Sequence, residues 1–509
     1  MSASSVASRA SVCLDLAHLS VILKPSVSAA IMRLSRNGLR SVNSALSDNW
    51  RPWQRQCRSF KLQAGLLEDL KSRGLVADIT RPVQLEAEIA KQPQTVYVGV
   101  DPTARSLHVG HLVPLLCLFH FQIRGHQIIP LIGGATGLIG DPSGRSTERP
   151  LSARETIDYN VAQLTAGISQ FFDGAMEYAK RRLPASSTPI QSPNVQNNLN
   201  WLKDLNLLEF LRTVGFHSRV NTMLARESVQ ARLASQQGIS FTEFTYQLLQ
   251  AYDFLTLHRK FGCTIQIGGS DQWGNIIAGI ELINRANAAP GTQQEGSADK
   301  GFGITTPLLT TASGQKFGKS AGNAVSLNEE DTSVFDFYQF FLRSSDGDVG
   351  RYLRMFTLLP QEKIDSVMES HERSPEARVA QRLLAEEVTE LVHGQEGVAR
   401  AQLATRILYE RDIATARADD VLAALRGNPV LQLCDASQVI DVPLIKLAAQ
   451  FRLAASNSAA RQLVTAKGLY LNNAPVVDVH QKLSTADLVD GRLAFLRAGS
   501  QKLAVIALN

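Results

Sequence analysis

The sequence predicts an α/β protein that runs on into helices and closes with a small basic unit. Three observations carry that expectation. The apolar, β-rich run Thr95–Val100 (TVYVGV) stops at Asp101-Pro102, residues 107–124 recur at helical spacing up to Gly125, and Gln127–Ile132 (QIIPLI) is a second apolar run; strand, helix and strand follow at the spacing of a parallel unit. Residues 328–425 alternate amphipathic helices with short turns. From about residue 441 the composition shifts, and residues 443–509 carry eight basic and three acidic groups.

The remaining elements follow in order. Residues 151–180 and 201–260 read as largely helical, separated by the Ser- and Pro-rich loop 184–193. Residues 263–267 (CTIQI) form another short buried strand, and 286–303 (ANAAPGTQQEGSADKGFG) reads as a polar surface loop. Ser374-Pro375 has the order of a helix cap followed by proline, which predicts a helix start there.

Composition bounds the function. With 509 residues, 44% apolar and 19% charged, a folded multidomain chain is expected and wholesale disorder is not. No run approaches the about 20 apolar residues of a membrane helix, so no membrane partner is expected. Cys13, Cys57, Cys117, Cys263 and Cys434 form no CxxC pair, which argues against a disulfide framework and against a zinc site. The formal net charge of +5 is unevenly spread: residues 1–60 hold eight Arg or Lys against Asp15 and Asp48, while residues 61–442 are acidic, 36 basic groups against 42.

That N-terminal stretch contains 13 Ser and no Glu, and Arg33, Arg36 and Arg40 fall on one helical face. Arg-rich, Ser-rich and acid-poor is the composition of a mitochondrial targeting segment, so residues 1–60 are expected to direct the chain to the mitochondrial matrix, with Met1 or Met32 as start.

Five constellations carry chemistry. In residues 101–111 (DPTARSLHVGH), His108 and His111 open a helix after a parallel strand, where N–H groups and the helix dipole face an anion and two imidazoles can stabilise charge on a transferring phosphate. Residues 133–144 (GGATGLIGDPSG) pack five glycines around Asp141 and run on to Arg145 and Arg149, allowing a ligand close to the backbone. Tyr246, Gln250 and Asp253 make one polar helical stripe, suited to a polar small-molecule pocket. Residues 266–275 (QIGGSDQWGN) offer Gly268 and Gly269 for backbone approach and Asp271 as an acceptor for ribose hydroxyls. Residues 316–320 (KFGKS) place Lys316 and Lys319 three apart in a loop, where they can close on a polyphosphate.

Taken in this order, the set resembles the class I aminoacyl-tRNA synthetases, and among them the tyrosyl enzymes of bacterial and mitochondrial type. HVGH is similar to the first class signature and KFGKS to the second in its tyrosyl form. TVYVGVDPTARSLHVGH, GGATGLIGDPSG, GISFTEFTYQLLQAYDF and QIGGSDQWGN are similar to family blocks, and the likeness spans about residues 61–509. Tryptophanyl enzymes share the two signatures but not Tyr97, Tyr246 and Asp253.

The resemblance implies a Rossmann-type parallel-sheet catalytic domain with a helical dimerisation insertion (61–340), an α-helical anticodon-side domain (341–440) and a small α+β RNA-binding domain (441–509) shared with a ribosomal small-subunit protein. It implies ATP as substrate with Mg2+ as counter-ion, no protein-bound metal or prosthetic group, and L-tyrosine and tRNA(Tyr) as the other partners of a homodimer. By resemblance, Tyr97 and Asp253 take the tyrosine phenol, and Asp141, Tyr246 and Gln250 take the ammonium. Asp101, Gln266 and Gln272 are further tyrosine-pocket positions. Thr103 and His108 meet the leaving phosphates. His111, Gly269, Asp271 and Ser320 meet the nucleotide, and Arg145, Arg149, Lys316 and Lys319 embrace pyrophosphate. Arg145 stands where the family commonly has Lys, and Pro114 lies inside the helix after HVGH at a variable position, where its missing N–H is expected to kink or tighten the first turn. Arg452, Arg461 and Lys467 are candidate tRNA contacts. The alternative reading is an RNA-binding role in intron splicing.

Overall fold

The computed structural model describes residues 65–143, 152–184, 190–234, 238–287, 300–310, 319–320, 323–410, 413, 416–500 and 502–509. The expected targeting segment, Arg145, Arg149 and Lys316 therefore lie outside the described residues, and of Lys319 and Ser320 only the backbone is described.

The central sheet has six strands: β1 (Asp78–Ile79), β2 (Thr95–Val100), β3 (Gln127–Ile132), β4 (Gln196–Asn197), β5 (Cys263–Gly269) and β6 (Phe302–Thr306). Their order is β1-β6-β5-β2-β3-β4, all parallel except the β1 edge. β2 and β3 occupy the residues expected from sequence. The expected loop 286–303 ends earlier, because Phe302 and Gly303 already pair with Ile265 and Gln266 as the buried start of β6.

Helices cover both faces, which is why these strands read as continuous apolar runs. α1 (Leu66–Ser72) and α2 (Val109–Gln122) share one core with Val96 and Val98, whose side chains alternate away from that of Tyr97. Tyr97 enters the opposite core with Ile129, Phe254, Leu255 and Ile276, beneath α4 (Phe241–Phe261) and α5 (Trp273–Asn287). Pro114 sits inside α2, and the helix runs through it. Between these helices, α3 (Arg154–Arg182) and a set of short helices over 199–233 form the insertion.

Further on come α6 (Val334–Leu342), α7 (Asp346–Phe356) and α8 (Val379–Thr405). Ser374-Pro375 opens only a short turn, Pro375–Ala377; Arg378, in the left-handed region at φ 51°, separates it from α8.

The C-terminal sheet takes in one strand from before residue 441. Its five-stranded sheet is ordered β11 (Ala474–Pro475), β10 (Leu469–Leu471), β12 (Leu493–Ala498), β13 (Lys502–Leu508) and β9 (Leu431–Cys434). β9 is recruited parallel to β13, a pairing with a strand about 70 residues away that local composition does not encode. One face packs Leu469, Leu496 and Ile506 on α9 (Leu444–Gln450) and α10 (Asn457–Thr465). The other packs Phe495 and Val505 against Ala404, Ile407, Val421 and Leu425 of the helical region. Among the described residues no helix is long and apolar enough to cross a membrane.

Candidate active site

Strand order fixes where a site can form. The chain leaves β2 toward β3 on one side and later returns to place β5 on the other. In open α/β sheets, ligands bind at the carboxyl ends of the strands where such a reversal occurs, here β2 and β5. Asp101 follows β2, Gly133 follows β3, and Gln266 lies in β5 just before the Ser270–Gln272 turn.

At the head of α2, the two histidines cap the helix. His108 Nδ1 accepts from the Gly110 N–H at 3.1 Å, and His111 Nδ1 accepts from the His108 N–H at 3.1 Å. The rings lie 3.9 Å apart. Burial, then the neighbouring His108 charge, pull the His111 imidazole down to about 3, so it is neutral at physiological pH. With both Nδ1 atoms accepting, the Nε2 atoms carry the protons and are donors, at a helix start with an N-terminal positive dipole. Thr103 is exposed beside them, in the turn where its N–H donates to Asp101 O at 2.8 Å.

α4 supplies the polar stripe. Ser240 caps its start by accepting from the Glu243 N–H, and Gly262 ends it in the left-handed region at φ 64°, turning the chain directly into β5. The Tyr246 hydroxyl donates to Asp101 Oδ2 at 2.8 Å, and Thr136 donates to Asp101 Oδ1 at 2.9 Å. Gly133 is needed here: a Cβ on it would sit 2.1 Å from Asp101 Oδ1.

Asp253, 2% exposed, is braced by two residues absent from the sequence reading. Trp201 Nε1 donates to Oδ1 at 2.7 Å and Asn198 Nδ2 to Oδ2 at 2.9 Å. Asn198 is itself held by Thr136 and by the Ala135 N–H. Burial raises the Asp253 carboxyl to about 7; the Asn198 and Trp201 hydrogen bonds oppose the rise and the Asp101 charge adds to it. The signal, an Asn-Leu-Asn-Trp run after a Pro-rich loop, was present but gave no hint of its partner 52 residues away.

Two buried groups among these have no hydrogen-bond partner: the Tyr97 hydroxyl and Gln266 Oε1. Tyr97 is 1% exposed and Gln266 2%. Burial and the Asp253 charge push the Tyr97 phenol well above its ordinary range. An unpaired buried acceptor and hydroxyl on one wall cost stability unless a ligand completes them.

On the other side, Gln272 Nε2 donates to Asp141 Oδ2 at 2.6 Å, and Asn275 Nδ2 lies 3.1 Å from both Gln250 Oε1 and Gln272 Oε1. Asp141, Gln250, Gln272 and Asn275 thus form one connected polar edge; Asn275 was not singled out from sequence. Asp271 is exposed in the turn after Gly269. The structure therefore joins Asp101 to Tyr246, pairs Tyr97 with Gln266 across β2 and β5 near Asp253, and links Asp141, Gln250 and Gln272 through hydrogen bonds.

Lys319–Ser320 (β7) pairs with Asn323–Ala324 (β8) in a short hairpin. The next residue, Val325, accepts from the Val109 N–H at 2.9 Å, and the Leu327 N–H donates to Leu107 O at 2.9 Å. The segment after the second lysine motif is thus laid against the histidine motif. Arg452, Arg461 and Lys467 are all exposed in the C-terminal unit, far along the chain from these groups.

The family model for class I tRNA synthetases (W and Y) matches residues 90–410. A mitochondrial tyrosine–tRNA ligase of Saccharomyces cerevisiae is 41% identical over 451 residues, 87% of this chain and 89% of its own. This chain belongs to the tyrosyl-tRNA synthetase family. Tyrosine–tRNA ligase 1 of Bacillus subtilis is 40% identical over 437 residues, 86% of this chain and 98% of its own. Among solved structures, a C-terminally truncated mitochondrial tyrosyl-tRNA synthetase of Aspergillus nidulans superposes with a TM-score of 0.62 at 35% identity, covering 71% of this chain and 99% of its own. Bacterial and mitochondrial members of the synthetase family are thus about equally similar to this chain.

Proposed function

We propose that this chain activates L-tyrosine with ATP to tyrosyl-adenylate and pyrophosphate, and transfers tyrosine to the 3′ end of tRNA(Tyr), for translation in the mitochondrial matrix. The observation that carries the choice of tyrosine is the braced Asp253 carboxyl beside the unpartnered, buried Tyr97 hydroxyl. Together they form a receptor for a phenol: phenylalanine leaves the Tyr97 hydroxyl unpaired and brings no donor to Asp253, and tyrosyl enzymes are the standing example of rejection by this means. Tyrosine's ammonium goes to the Asp141, Tyr246 and Gln250 side, with Asp101 and Gln266 behind it and Gln272 toward the carboxylate.

The carboxylate is already ionised, so no enzyme nucleophile or base is needed. It attacks the α-phosphate in line, and the protein supplies position and charge stabilisation. The Nε2–H donors of His108 and His111 serve that purpose, with Thr103, Arg145, Arg149, Lys316 and Lys319 as the groups that meet the phosphates. Gly269, Asp271 and Ser320 serve the nucleoside; Mg2+ enters with ATP. ATP–pyrophosphate exchange run with each amino acid tests the assignment: tyrosine alone should support it, and exchange with tryptophan or with none would overturn it.

The homodimer reading is supported by exposed apolar side chains on the insertion: Leu207, Leu208, Leu211, Phe216 and Val220 are all at least half exposed. Exposed apolar surface of this kind marks an association surface. Phe216→Asp with Leu208→Asp should give a monomer by sedimentation; an unchanged dimer would reject this surface. Targeting rests on the composition of residues 1–60 and on similarity to the yeast mitochondrial enzyme. An intact Met1 on matrix-purified protein would count against cleavage there.

For tRNA, charge reversal of Arg452, Arg461 and Lys467 is a better test than truncation at 441, which would strip β9 of its partner and uncover Phe335 and Ile407. Weaker tRNA affinity with a shallower salt dependence is expected.

A further inference from the structure

The histidine motif and the second lysine motif are joined by more than a backbone ladder. Arg105, three residues before His108, forms an ion pair with Asp331, and its other guanidinium nitrogen lies 3.8 Å from Glu330. Tyr159 of α3 faces Arg105 as well. On the partner side, Ser326 Oγ reaches Ser106 Oγ at 3.1 Å and Leu107 O at 3.3 Å, and the Ser326 N–H donates to Thr332 Oγ1 at 3.0 Å. His108 and Ser326 form the bridge between the two segments. A continuous path therefore runs from Arg105 through residues 325–331 to β8 and so to the backbone of Lys319 in β7.

We propose that Arg105 is a positioning residue for adenylate formation: paired with Asp331, it fixes segment 325–331, and with it the backbone of Lys319, relative to His108 and His111. The inference rests on the reading that Lys319 meets the phosphates of ATP. The geometry favours a kinetic role over a stabilising one. Arg105 and Asp331 are partly exposed, with side chains 41% and 24% accessible, and such pairs contribute little to folding. The backbone ladder and the Ser106–Ser326 contact hold the fold without them. What the ion pair adds is a lateral constraint on a segment whose misplacement by a fraction of an ångström weakens charge stabilisation at the transferring phosphate. Glu330, 72% accessible and at 3.8 Å, is the weaker of the two partners.

The test is charge reversal followed by charge exchange in the full chain. Arg105→Asp and Asp331→Arg should each raise KM for ATP and lower kcat in tyrosine-dependent ATP–pyrophosphate exchange, about tenfold in kcat/KM, with KM for tyrosine within about twofold of wild type. The double variant, Arg105→Asp with Asp331→Arg, should recover most of the loss. Melting temperatures should match wild type throughout. Single variants with wild-type ATP parameters, a double variant no better than the singles, or an equal loss of tyrosine and ATP affinity would each overturn the proposal. Lys319→Ala separates it from the reading it rests on. If Lys319→Ala leaves exchange unchanged, the role of Lys319 falls and takes the inference with it. If that variant slows exchange while the Arg105 and Asp331 variants do not, only the inference falls.

Discussion

Two buried polar clusters in this molecule are built from similar parts and finished differently. One joins α3 to α8. There the Tyr178 hydroxyl donates to Glu387 Oε2 at 2.6 Å, Arg182 donates to both Glu387 oxygens at 2.7 and 3.0 Å, and Arg182 and Arg181 pair with Glu390. The Leu358 N–H closes the set on the Tyr178 oxygen, and the guanidinium lies 3.7 Å over the Tyr178 ring. The other is the Asp253 cluster, where a tyrosine and a carboxylate again meet, yet the Tyr97 hydroxyl and Gln266 Oε1 are left unpaired. In the first, each acidic oxygen meets a donor inside the protein, and the result is a strut. In the second, the Tyr97 hydroxyl and Gln266 Oε1 have no partner in the protein, which supports the proposed receptor for a phenol. The difference between structure and recognition here is whether the last partner is supplied by the chain.

That contrast can be broken by substitution. The largest effect should follow Arg182→Ala, which leaves Glu387 buried at 3% exposure opposite no cation; a loss of about 3–5 kcal/mol in unfolding free energy is expected from denaturant melts. Tyrosine KM in whatever protein remains folded should be unchanged. Asp253→Ala should do the reverse, costing about 2–4 kcal/mol in kcat/KM for tyrosine and eroding the preference over phenylalanine. Its melting temperature should fall less than that of Arg182→Ala, since a buried carboxyl's desolvation is removed while the Trp201 and Asn198 donors lose their acceptor.

A smaller effect is the pH dependence. In the folded chain Asp253 titrates near 7, against 3.8 for an unperturbed carboxyl. Between those values the folded state keeps a proton that the unfolded state releases, so this group's contribution falls as pH rises from about 4 to about 7. A phenol that donates to the ionised carboxylate reverses the balance. Tyrosine affinity should therefore strengthen with pH, by at most about tenfold per unit, and level off above about 7. Calorimetric titration with Asp253→Asn should show a flat profile; an equal slope in that variant would move the titration elsewhere. Smallest should be Trp201→Phe, which removes one donor while keeping the ring: about 1 kcal/mol in tyrosine binding, with ATP KM unaffected.

How far the sequence carried these conclusions differs by element. β2 and β3 were legible to the residue because buried parallel strands are uninterrupted apolar runs between turn signals. The stripe Tyr246, Gln250 and Asp253 was legible because helical spacing is a local property. β6 was masked by the polar stretch before it, and β9 by a partner strand with no local trace. The braces Asn198 and Trp201 were missed for the same reason: nothing near them in sequence says that they end beside Asp253, 55 and 52 residues on.

By itself, then, the sequence determined the strand–helix–strand start of the sheet, the polar and charged residues proposed to meet a nucleotide and an amino acid, and the family to which they conform. These are matters of spacing over a few residues. Only the tertiary structure decided which buried polar groups would be satisfied and which left waiting, and which distant segment would lie against His108. Those outcomes depend on contacts between residues tens to hundreds apart, which exist only once the sheet and its helices have closed around them.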